Sequence, residues 1–258
     1  MNNATTVSAY TTYGRDFADI YDTIFPREAI GPEELAWLSR HIKSGSRVLE
    51  LGVGTGRVAF PLLNHLAGQG VSVDYRGIDI SAEMLEQLEA ADTEGRINAT
   101  RGDIVDADYG TDYDSILCVC ATISMITNPN QQSAVFANAS QALAPGGTLI
   151  VETHNSDFVH AIHGPHRTIT YAVPYPGGQR ALVSFSDLDG SAWNIDHCWI
   201  DNGSTKFVSE TSRVTTLAEL DTYAIDAGLI PSGHTAGLTG SPIQPTAGTV
   251  TAEYRKPL

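Results

Sequence analysis

Between residues 46 and 152, short apolar runs alternate with segments whose apolar residues recur at helical spacing. The first run, Val48 to Leu51, predicts a buried strand, and three alternate glycines separate it from a helical segment over 57–67. Further strands are predicted at 71–79, 97–104, 112–121 and 143–152, and further helices after Ser81 and over 131–143. Alternating strands and helices predict an α/β fold built around a parallel sheet.

Two helices are predicted before this region. Within 10–25, apolar residues recur at helical spacing, and Tyr10 and Tyr13 stand at the start of that segment. A second helix is predicted over 32–43, and residues 1–9 are polar and expected to be weakly ordered. Two interpretations of the first helix remain open: it packs on the domain, or it forms a lid over a ligand site.

The strand–helix alternation stops at 155–215. Four segments there have the alternating pattern of antiparallel strands, separated by typical hairpin turns, at 168–173, 180–186, 192–200 and 205–211. The main sheet is then predicted to be completed by a helix at 217–227 and strands at 229–234 and 249–254. We expect the inserted strands to lie above the carboxyl ends of the parallel strands.

The turn after the first strand reads Glu50-Leu-Gly-Val-Gly-Thr-Gly56. Dinucleotide-binding turns have the spacing G-x-G-x-x-G and place a pyrophosphate at the helix start. Here the spacing is G-x-G-x-G, and the Glu50 carboxylate would repel a pyrophosphate but suits a cation. The segment resembles the first motif of the Rossmann-like, class I S-adenosylmethionine-dependent methyltransferases, whose ligand carries a sulfonium and an ammonium. A glycine turn without a ligand is the alternative.

Three later segments carry the same resemblance. Asp79 ends the second predicted strand, Gly102-Asp103 ends the third, and Leu143-Ala-Pro-Gly-Gly147 leads into the fifth. In that family the first carboxylate binds the ribose hydroxyls, and the second receives the adenine amino group. The Met84 position commonly packs on the adenine, although a core position on its helix is the alternative. The resemblance therefore implies bound S-adenosylmethionine, released as S-adenosylhomocysteine, and these cofactor-binding residues: Tyr21, Glu50, Gly52, Gly54, Thr55, Gly56, Asp79, Ile80, Met84, Gly102, Asp103, Ile104 and Cys120.

The resemblance also implies the architecture: an α/β fold with a seven-stranded Rossmann-like methyltransferase sheet, six strands parallel and one antiparallel, plus an added antiparallel β-sheet. The chain then divides into N-terminal lid helices at 1–45, the cofactor-binding core at 46–154, the β insertion at 155–215, and a C-terminal helix and strand hairpin at 216–258. The segment from Phe17 to Asp22 is similar to the lid of small-molecule methyltransferases, where aromatic groups close over the cofactor. The insertion is expected to select the acceptor or to form a homodimer contact.

Two departures from the family pattern bear on the acceptor. Relatives that methylate nucleic acids or glutamine carry an Asn/Asp-Pro-Pro-aromatic motif after the fourth strand, where this chain reads Cys120-Ala-Thr-Ile-Ser-Met125. Aminosugar N-methyltransferases often have a histidine near the position of Met125, which this chain lacks. We expect methyl transfer to a small-molecule amine in specialised metabolism. The alternatives are an O-methyltransferase, a peptide N-terminal methyltransferase, a dinucleotide-dependent oxidoreductase and a non-catalytic cofactor-binding protein.

His154 and Asp157, at and just after the end of the fifth strand, are the candidates for catalysis. A base is needed only if the acceptor arrives protonated, and histidine titrates near neutral pH. Asp157 is suited to pair with a substrate amine instead, and a structural role for His154 is the alternative. The candidate substrate-binding residues are Tyr13, Ser124, Tyr171 and Trp193, with packing on the added sheet as the alternative for the aromatic ones.

Charge and composition limit the remaining functions. The net charge is −15 and no Lys/Arg cluster occurs, which argues against nucleic-acid and anionic-membrane binding. No signal peptide and no apolar run of membrane-spanning length is found, so the cytoplasm is the expected compartment. His160, His163 and His166 share a spacing of three, but Pro165 interrupts the helix and no carboxylate completes a metal site. The three cysteines are expected to be reduced core thiols.

Overall fold

The structure is a computed structural model that describes residues 9–258, with side chains described from Tyr13 onward. The expectation for residues 1–8, and any role of the Tyr10 side chain, lie outside that part of the chain. Its α-helices are α1 (Ala9–Ile24), α2 (Pro32–Ser39), α3 (Ala59–Gly68), α4 (Ala82–Ala91), α5 (Pro129–Ala142), α6 (Ser156–His163) and α7 (Leu217–Asp226). Its strands are β1 (Arg47–Leu51), β2 (Asp74–Asp79), β3 (Ile97–Arg101), β4 (Tyr113–Cys118), β5 (Leu143–His154), β6 (Thr168–Tyr175), β7 (Arg180–Asp189), β8 (Ala192–Asp201), β9 (Ser204–Arg213), β10 (Ile230–Ala236) and β11 (Thr249–Arg255).

The main sheet has the strand order β10-β11-β5-β4-β1-β2-β3. β1 pairs in parallel with β2 and β4, β2 with β3, and β4 with β5. β11 is antiparallel to both of its neighbours, β5 and β10. Six strands therefore share one direction and one opposes them, which confirms the predicted sheet. The chain order reverses between β1 and β4, and doubly wound sheets bind ligands in the crevice at such a point.

Helices cover both faces of the main sheet, as its apolar strands require. Leu38, Leu62 and Leu88 of α2, α3 and α4 pack on one face, and Phe136 and Leu220 of α5 and α7 pack on the other. Each of these side chains is at most 2% exposed. Burying one such side chain is worth about 1.5–3 kcal/mol, so the sheet is a rigid platform for groups at its edge.

Several strand boundaries differ from the predicted ones, and two of them, the start of β2 and the end of β4, have a clear structural reason. β2 begins at Asp74, later than predicted, because its partner β1 begins at Arg47 and the two residues pair. β4 ends at Cys118, and Cys120 and Ala121 then adopt positive φ angles of 56° and 58°. This left-handed turn leads the chain away from the sheet at its carboxyl edge.

The insertion contains α6 and a four-stranded antiparallel sheet in the order β6-β7-β8-β9. All four strands coincide with the predicted segments and extend beyond them. Leu182, Trp199 and Val208 from the inner face of this sheet pack against Phe17 and Ile24 of α1. The first helix therefore has the added sheet on one side.

On its other side α1 contacts the glycine turn of the core. The Thr55 hydroxyl donates a hydrogen bond of 2.6 Å to Asp22 Oδ1 near the end of α1. Asp19, on the same helix, forms an ion pair with Lys206 of β9. α1 thus connects the cofactor turn to the added sheet. Within residues 9–258, the helices all fall short of the length and apolarity needed to cross a membrane.

Candidate active site

A cavity of about 450 Å³ opens at the carboxyl edge of the main sheet, within the size range of small-molecule sites. Its walls come from the ends of β1 to β5, from α1 and α4, and from single side chains of β9 and β11. The structure brings most of the predicted site residues to this cavity, namely Tyr13, Tyr21, Glu50, Gly52, Gly54, Asp79, Ile80, Met84, Gly102, Asp103, Ile104, Cys120 and His154.

The glycine turn follows β1 in a left-handed conformation that glycine adopts at little cost. The φ angles of Gly52, Gly54 and Gly56 are 76°, 53° and 82°. A Cβ on Gly52 would lie 2.5 Å from the Thr122 side chain, whereas a Cβ on Gly54 would come no closer than 4.0 Å to its nearest neighbour, Asp79. Gly52 is therefore needed for packing, and Gly54 is the point where a ligand can approach the backbone.

Asp79, at the end of β2, faces this turn. Its Oδ2 accepts the Gly54 N–H at 2.8 Å, and its Oδ1 accepts the Ser81 N–H at 2.9 Å. Burial raises the pKa of Asp79, and these backbone hydrogen bonds oppose the shift. Ser81 caps α4 as predicted, its hydroxyl accepting the Met84 N–H at 3.2 Å. Each carboxylate oxygen has a second lone pair that can accept a ligand hydroxyl.

Glu50 lies deeper, at the end of β1, and is 3% exposed. It accepts a hydrogen bond of 2.7 Å from the Tyr75 hydroxyl. Burial raises the pKa of Glu50 to about 8; the Tyr75 hydrogen bond opposes this shift, and the neighbouring Asp79 charge adds to it. Glu50 therefore holds a proton at neutral pH in the ligand-free protein.

An apolar part of the cavity lies beside α4 and the loop after β3. Met84, which is 3% exposed, lines it together with Ile80 and Ile104. Asp103 is also in the lining, with one carboxylate oxygen accepting the Val105 N–H at 2.9 Å. A flat aromatic ring with a polar edge fits this combination of side chains.

Arg57 is a cavity residue that the sequence analysis missed. Its guanidinium carbon lies 5.2 Å from the centre of the Phe25 ring, and its Nε is buried without a hydrogen-bond partner. An unpaired buried donor is destabilising, so an anionic ligand group would satisfy it. The sequence did contain an indication of this role. A cation just before a helix is unfavourable beside the helix dipole, so Arg57 at this position suggests a function such as ligand binding.

His154 ends β5 at the opposite part of the cavity. Its ring meets the Trp193 ring edge to face, with 4.9 Å between the centres. Burial lowers the pKa of His154, while the nearby Glu210 carboxylate acts in the opposite direction. A neutral imidazole at neutral pH can accept a proton.

Two carboxylates in this part of the cavity were also missed. Glu152 accepts the Cys120 N–H at 2.7 Å and the Thr249 hydroxyl at 2.9 Å, which fixes the turn after β4. Glu210 belongs to β9 of the added sheet. Its signal was weak: Glu210 falls on the same side of its strand as the buried Val208, two residues earlier.

Two predicted cofactor residues lie behind the glycine turn and outside the cavity lining. Thr55 is fully buried and its hydroxyl is engaged by Asp22 of α1. Gly56 faces Phe60, because a Cβ there would lie 2.5 Å from the Phe60 ring. Both residues support the turn from behind.

Four other candidates are also absent from the lining. Ser124 is fully buried and hydrogen-bonded to Thr153 at 2.8 Å. Trp193 is 5% exposed and packs in a small core of the added sheet, reaching the cavity only through its contact with His154. Tyr171 lies on the edge strand β6, and Asp157 is exposed at the start of α6. Local sequence could not show that these side chains point elsewhere.

No three His, Cys, Asp or Glu side chains in the described chain are grouped closely enough to hold a metal ion. His163 instead bonds the Ser186 hydroxyl at 2.8 Å, and His160 bonds the Ser156 carbonyl at 2.8 Å. The cavity offers carboxylates at the ends of four parallel strands or in the loops after them, one guanidinium and an apolar slot. This set suits a ligand that carries a cation, a carboxylate, vicinal hydroxyls and an aromatic ring.

Comparisons with known proteins agree with that chemistry. Residues 48–147 match the family described as Methyltransferase domain. The cypemycin N-terminal methyltransferase of a Streptomyces species is 26% identical over 236 residues, which cover 90% of this chain and 92% of that protein.

Solved structures give the same picture. The CcbJ methyltransferase from Streptomyces caelestis superposes with a TM-score of 0.82 at 27% identity, over 96% of this chain and 99% of that one. CalS10 from Micromonospora echinaspora, an amino pentose methyltransferase solved with S-adenosylmethionine bound, has a TM-score of 0.59 at 21% identity, over 93% of this chain and 91% of that one. The second likeness concerns the fold alone. Together with the geometry of the cavity, the domain match and the near full-length relatives support a class I S-adenosylmethionine-dependent methyltransferase with S-adenosylmethionine as its cofactor.

Proposed function

We propose that this enzyme transfers a methyl group from S-adenosylmethionine to the nitrogen of a small-molecule amine in specialised metabolism. The charge of the cavity carries the proposal. Among the described lining residues, Arg57 is the single Lys or Arg, whereas the carboxyl groups are Glu34, Glu50, Asp79, Asp103, Glu152 and Glu210. Such a lining attracts a cationic cofactor and an acceptor that arrives as an ammonium, and it repels an anionic phenolate or carboxylate acceptor.

The residues present fit the cofactor. Asp79 would accept the ribose hydroxyls, and Met84 with Ile80 would hold the adenine ring. Glu50 would face a positive group, and the unpaired Nε of Arg57 would bind the amino-acid carboxylate. When bound, S-adenosylmethionine supplies a methyl group on a positively charged sulfur. The chain itself must orient the acceptor and exclude water.

The division of the chain follows from this arrangement. The described helices of 1–45 would cover the cofactor, since Tyr13 and Tyr21 of α1 line the cavity from the side opposite the sheet edge. Residues 46–154 and 216–258 would form the cofactor-binding core. Residues 155–215 would select the acceptor, since Glu210 of the added sheet lines the cavity. Dimerisation through the insertion stays an untested alternative.

His154 would remove the proton that an amine acceptor must lose. Its lowered pKa keeps the ring neutral at neutral pH, and no described group holds its ring nitrogens by a hydrogen bond. The ring is therefore free to accept from an acceptor ammonium. Asp157, exposed outside the cavity, is not placed for this step.

The relatives support an amine and not one particular scaffold. Cypemycin N-terminal methyltransferase is named for a peptide N-terminus. A second relative, from Saccharopolyspora spinosa, is named as an N,N-dimethyltransferase of an amino sugar nucleotide. A peptide N-terminal amine and a sugar amine present the same ammonium group. The proposal therefore specifies nitrogen as the methylated atom and leaves the scaffold of the acceptor open.

The test pairs acceptors that differ only in that atom. Purified enzyme and S-adenosylmethionine are incubated with aminosugars, short peptides and their hydroxyl analogues, and the products are located by tandem mass spectrometry. We expect methyl groups on nitrogen and none on the hydroxyl analogues. Methylation of the hydroxyl analogues alone would overturn the proposal. The control is an Asp74→Asn variant, altered at the exposed end of β2 far from the cavity edge, which should match the parent.

A further inference from the structure

Glu210 combines burial with a position on a separate structural unit. Its side chain is 14% exposed and reaches the cavity from β9, whereas most of the other lining carboxylates belong to the core. At the β1 to β3 edge the core already supplies the carboxylates Glu50, Asp79 and Asp103 for the groups of the cofactor. Glu210 is therefore the carboxylate that the added sheet contributes.

Neighbouring side chains of the added sheet hold Glu210 in place. Its Oε2 lies 3.8 Å from His197 Nε2, and its Oε1 accepts the Ser212 hydroxyl at 3.2 Å. His197 is in turn fixed through Nδ1 by the Ser184 hydroxyl at 2.8 Å and is met edge-on by the Phe17 ring. A buried carboxylate supported in this way has a defined orientation before any ligand arrives.

The charge state of Glu210 follows from its surroundings. Burial by itself would raise the pKa of Glu210, but the adjacent His197 ring, the His154 ring and the Ser212 hydroxyl together lower the pKa below its ordinary value. The other titratable groups near it are the hydroxyls of Tyr13 and Tyr171. Glu210 is therefore ionised at neutral pH.

We propose that Glu210 and His154 form a subsite for the protonated amine of the acceptor, in which Glu210 binds the ammonium and His154 takes its proton. The inference rests on the proposed N-methyl transfer and names the form in which the acceptor binds, a cation. His154 of β5 and Glu210 of β9 line the same cavity, and the charge of each group acts on the pKa of the other. The added sheet thereby recognises the acceptor by charge.

The chemical step balances. The ammonium gives one proton to a His154 ring nitrogen, and the freed lone pair forms the bond to the methyl carbon. The electrons of the sulfur–carbon bond stay on sulfur, which becomes the neutral thioether of S-adenosylhomocysteine. The product is again an ammonium, and the imidazolium returns its proton to solvent.

The negative charge of Glu210 stabilises the positive charge both before and after the proton transfer. Glu210 stabilises the bound ammonium, which alone would hinder deprotonation. The same charge raises the proton affinity of His154, as its effect on the His154 pKa shows. The cation moves from the acceptor to the imidazole beside a fixed carboxylate, so the transfer does not separate charges in a buried site.

The experiment measures binding of simple cations to the enzyme loaded with S-adenosylhomocysteine. Ligand-observed NMR titrations compare n-alkylammonium ions from propyl to hexyl with alcohols of the same chain length. We expect the parent to prefer ammonium over alcohol by about 10- to 100-fold at pH 7, the range of a charge-assisted interaction. Equal affinities in the parent would overturn the proposal without any variant.

Two variants locate the preference. Glu210→Gln should remove it while the affinity for S-adenosylhomocysteine changes less than about two-fold. Asp196→Asn, which removes one charge from the exposed outer face of the same sheet, should keep it. A preserved preference in a folded Glu210→Gln protein would refute the subsite, even if nitrogen is methylated. Methylation at oxygen would instead refute the proposed function, whatever the cation preference.

Discussion

Glu50 and Glu210 are the same residue type in the same cavity, yet at neutral pH Glu50 is protonated and Glu210 is ionised. Glu50 lies behind the cofactor turn with a tyrosine hydroxyl and a second carboxylate as neighbours, and its pKa rises to about 8. Glu210 lies beside two histidines, and its pKa falls below the ordinary value. Burial penalises both carboxylates, so the neighbouring groups decide the outcome.

Under the proposed function, the difference distinguishes the cofactor end of the cavity from the acceptor end. The cofactor end is neutral at Glu50 until a cationic ligand draws off the proton. The acceptor end carries the negative charge of Glu210 before any ligand binds. A cofactor that binds first would therefore approach a neutral Glu50. An acceptor ammonium would approach a Glu210 carboxylate that is already ionised.

The largest expected effect concerns proton transfer at the acceptor end. His154→Gln should lower kcat by about 10²- to 10⁴-fold, the usual contribution of a positioned general base. Because the pKa of His154 is lowered, the parent rate should rise with pH and level off below the ordinary histidine value, and this limb should vanish in the variant. Affinity for S-adenosylhomocysteine, measured by calorimetry, should stay the same. A variant with the parent rate and pH profile would make His154 a structural residue.

The cofactor end gives the next effect. Asp79→Ala should weaken S-adenosylhomocysteine binding by about 1–3 kcal/mol, because charge-assisted hydrogen bonds and the support of Gly54 are both lost. Calorimetry on the folded variant measures this difference. Asp74→Asn, at the other end of the same strand, is the matched control and should bind as the parent does. Unchanged affinity in Asp79→Ala would mean that other groups hold the ribose.

A smaller effect tests the protonated state of Glu50. With a pKa of about 8, Glu50 should release about 0.9 proton when a cationic ligand binds at pH 7. Calorimetry in buffers of different ionisation enthalpy counts this proton, and Glu50→Gln should release none at that site. Equal proton release by parent and variant would contradict the comparison between the two glutamates.

The raised pKa of Glu50 also predicts how the stability of the folded protein depends on pH. The pKa of Glu50 in the folded protein lies above the ordinary glutamate value of 4.5, so its stabilising contribution is complete below about pH 4.5 and is lost as the pH rises through 8. Glu50→Gln cannot ionise and should therefore gain thermal stability relative to the ligand-free parent between pH 5 and pH 8.5. Thermal unfolding at several pH values measures this. A constant difference across that range would show that Glu50 is ionised throughout.

The smallest effect is expected in the added sheet. Tyr171→Phe removes one hydroxyl on the edge strand, outside the cavity lining, and should change S-adenosylhomocysteine affinity by less than about two-fold. Loss of cofactor binding in this folded variant would show that the insertion also takes part in holding the cofactor.

Much of the fold and of the cofactor end could be predicted because their signals are local. Gly52, Gly54 and Asp79 belong to single strand–turn units, and the parallel sheet brings the ends of those units to one edge. The acceptor end is assembled from β5, β9 and α1, whose contacts join distant parts of the chain. No local pattern could show that Glu210 lines the same cavity as His154, or that Trp193 packs in a small separate core of the added sheet. Arg57 was open to prediction, since its place before a helix was the clue.

The turn that follows β4 has a consequence for how this protein can evolve. Cys120 and Ala121 hold consecutive left-handed conformations without being glycine, and such residues cost roughly 1–2 kcal/mol each. Glu152 anchors this turn through the Cys120 N–H. Glycine at these two positions would relieve the backbone strain, so selection for thermal stability alone would favour it. The natural sequence at this wall of the cavity is therefore less stable than it could be. Laboratory evolution towards heat resistance should find its substitutions there, beside the reaction centre.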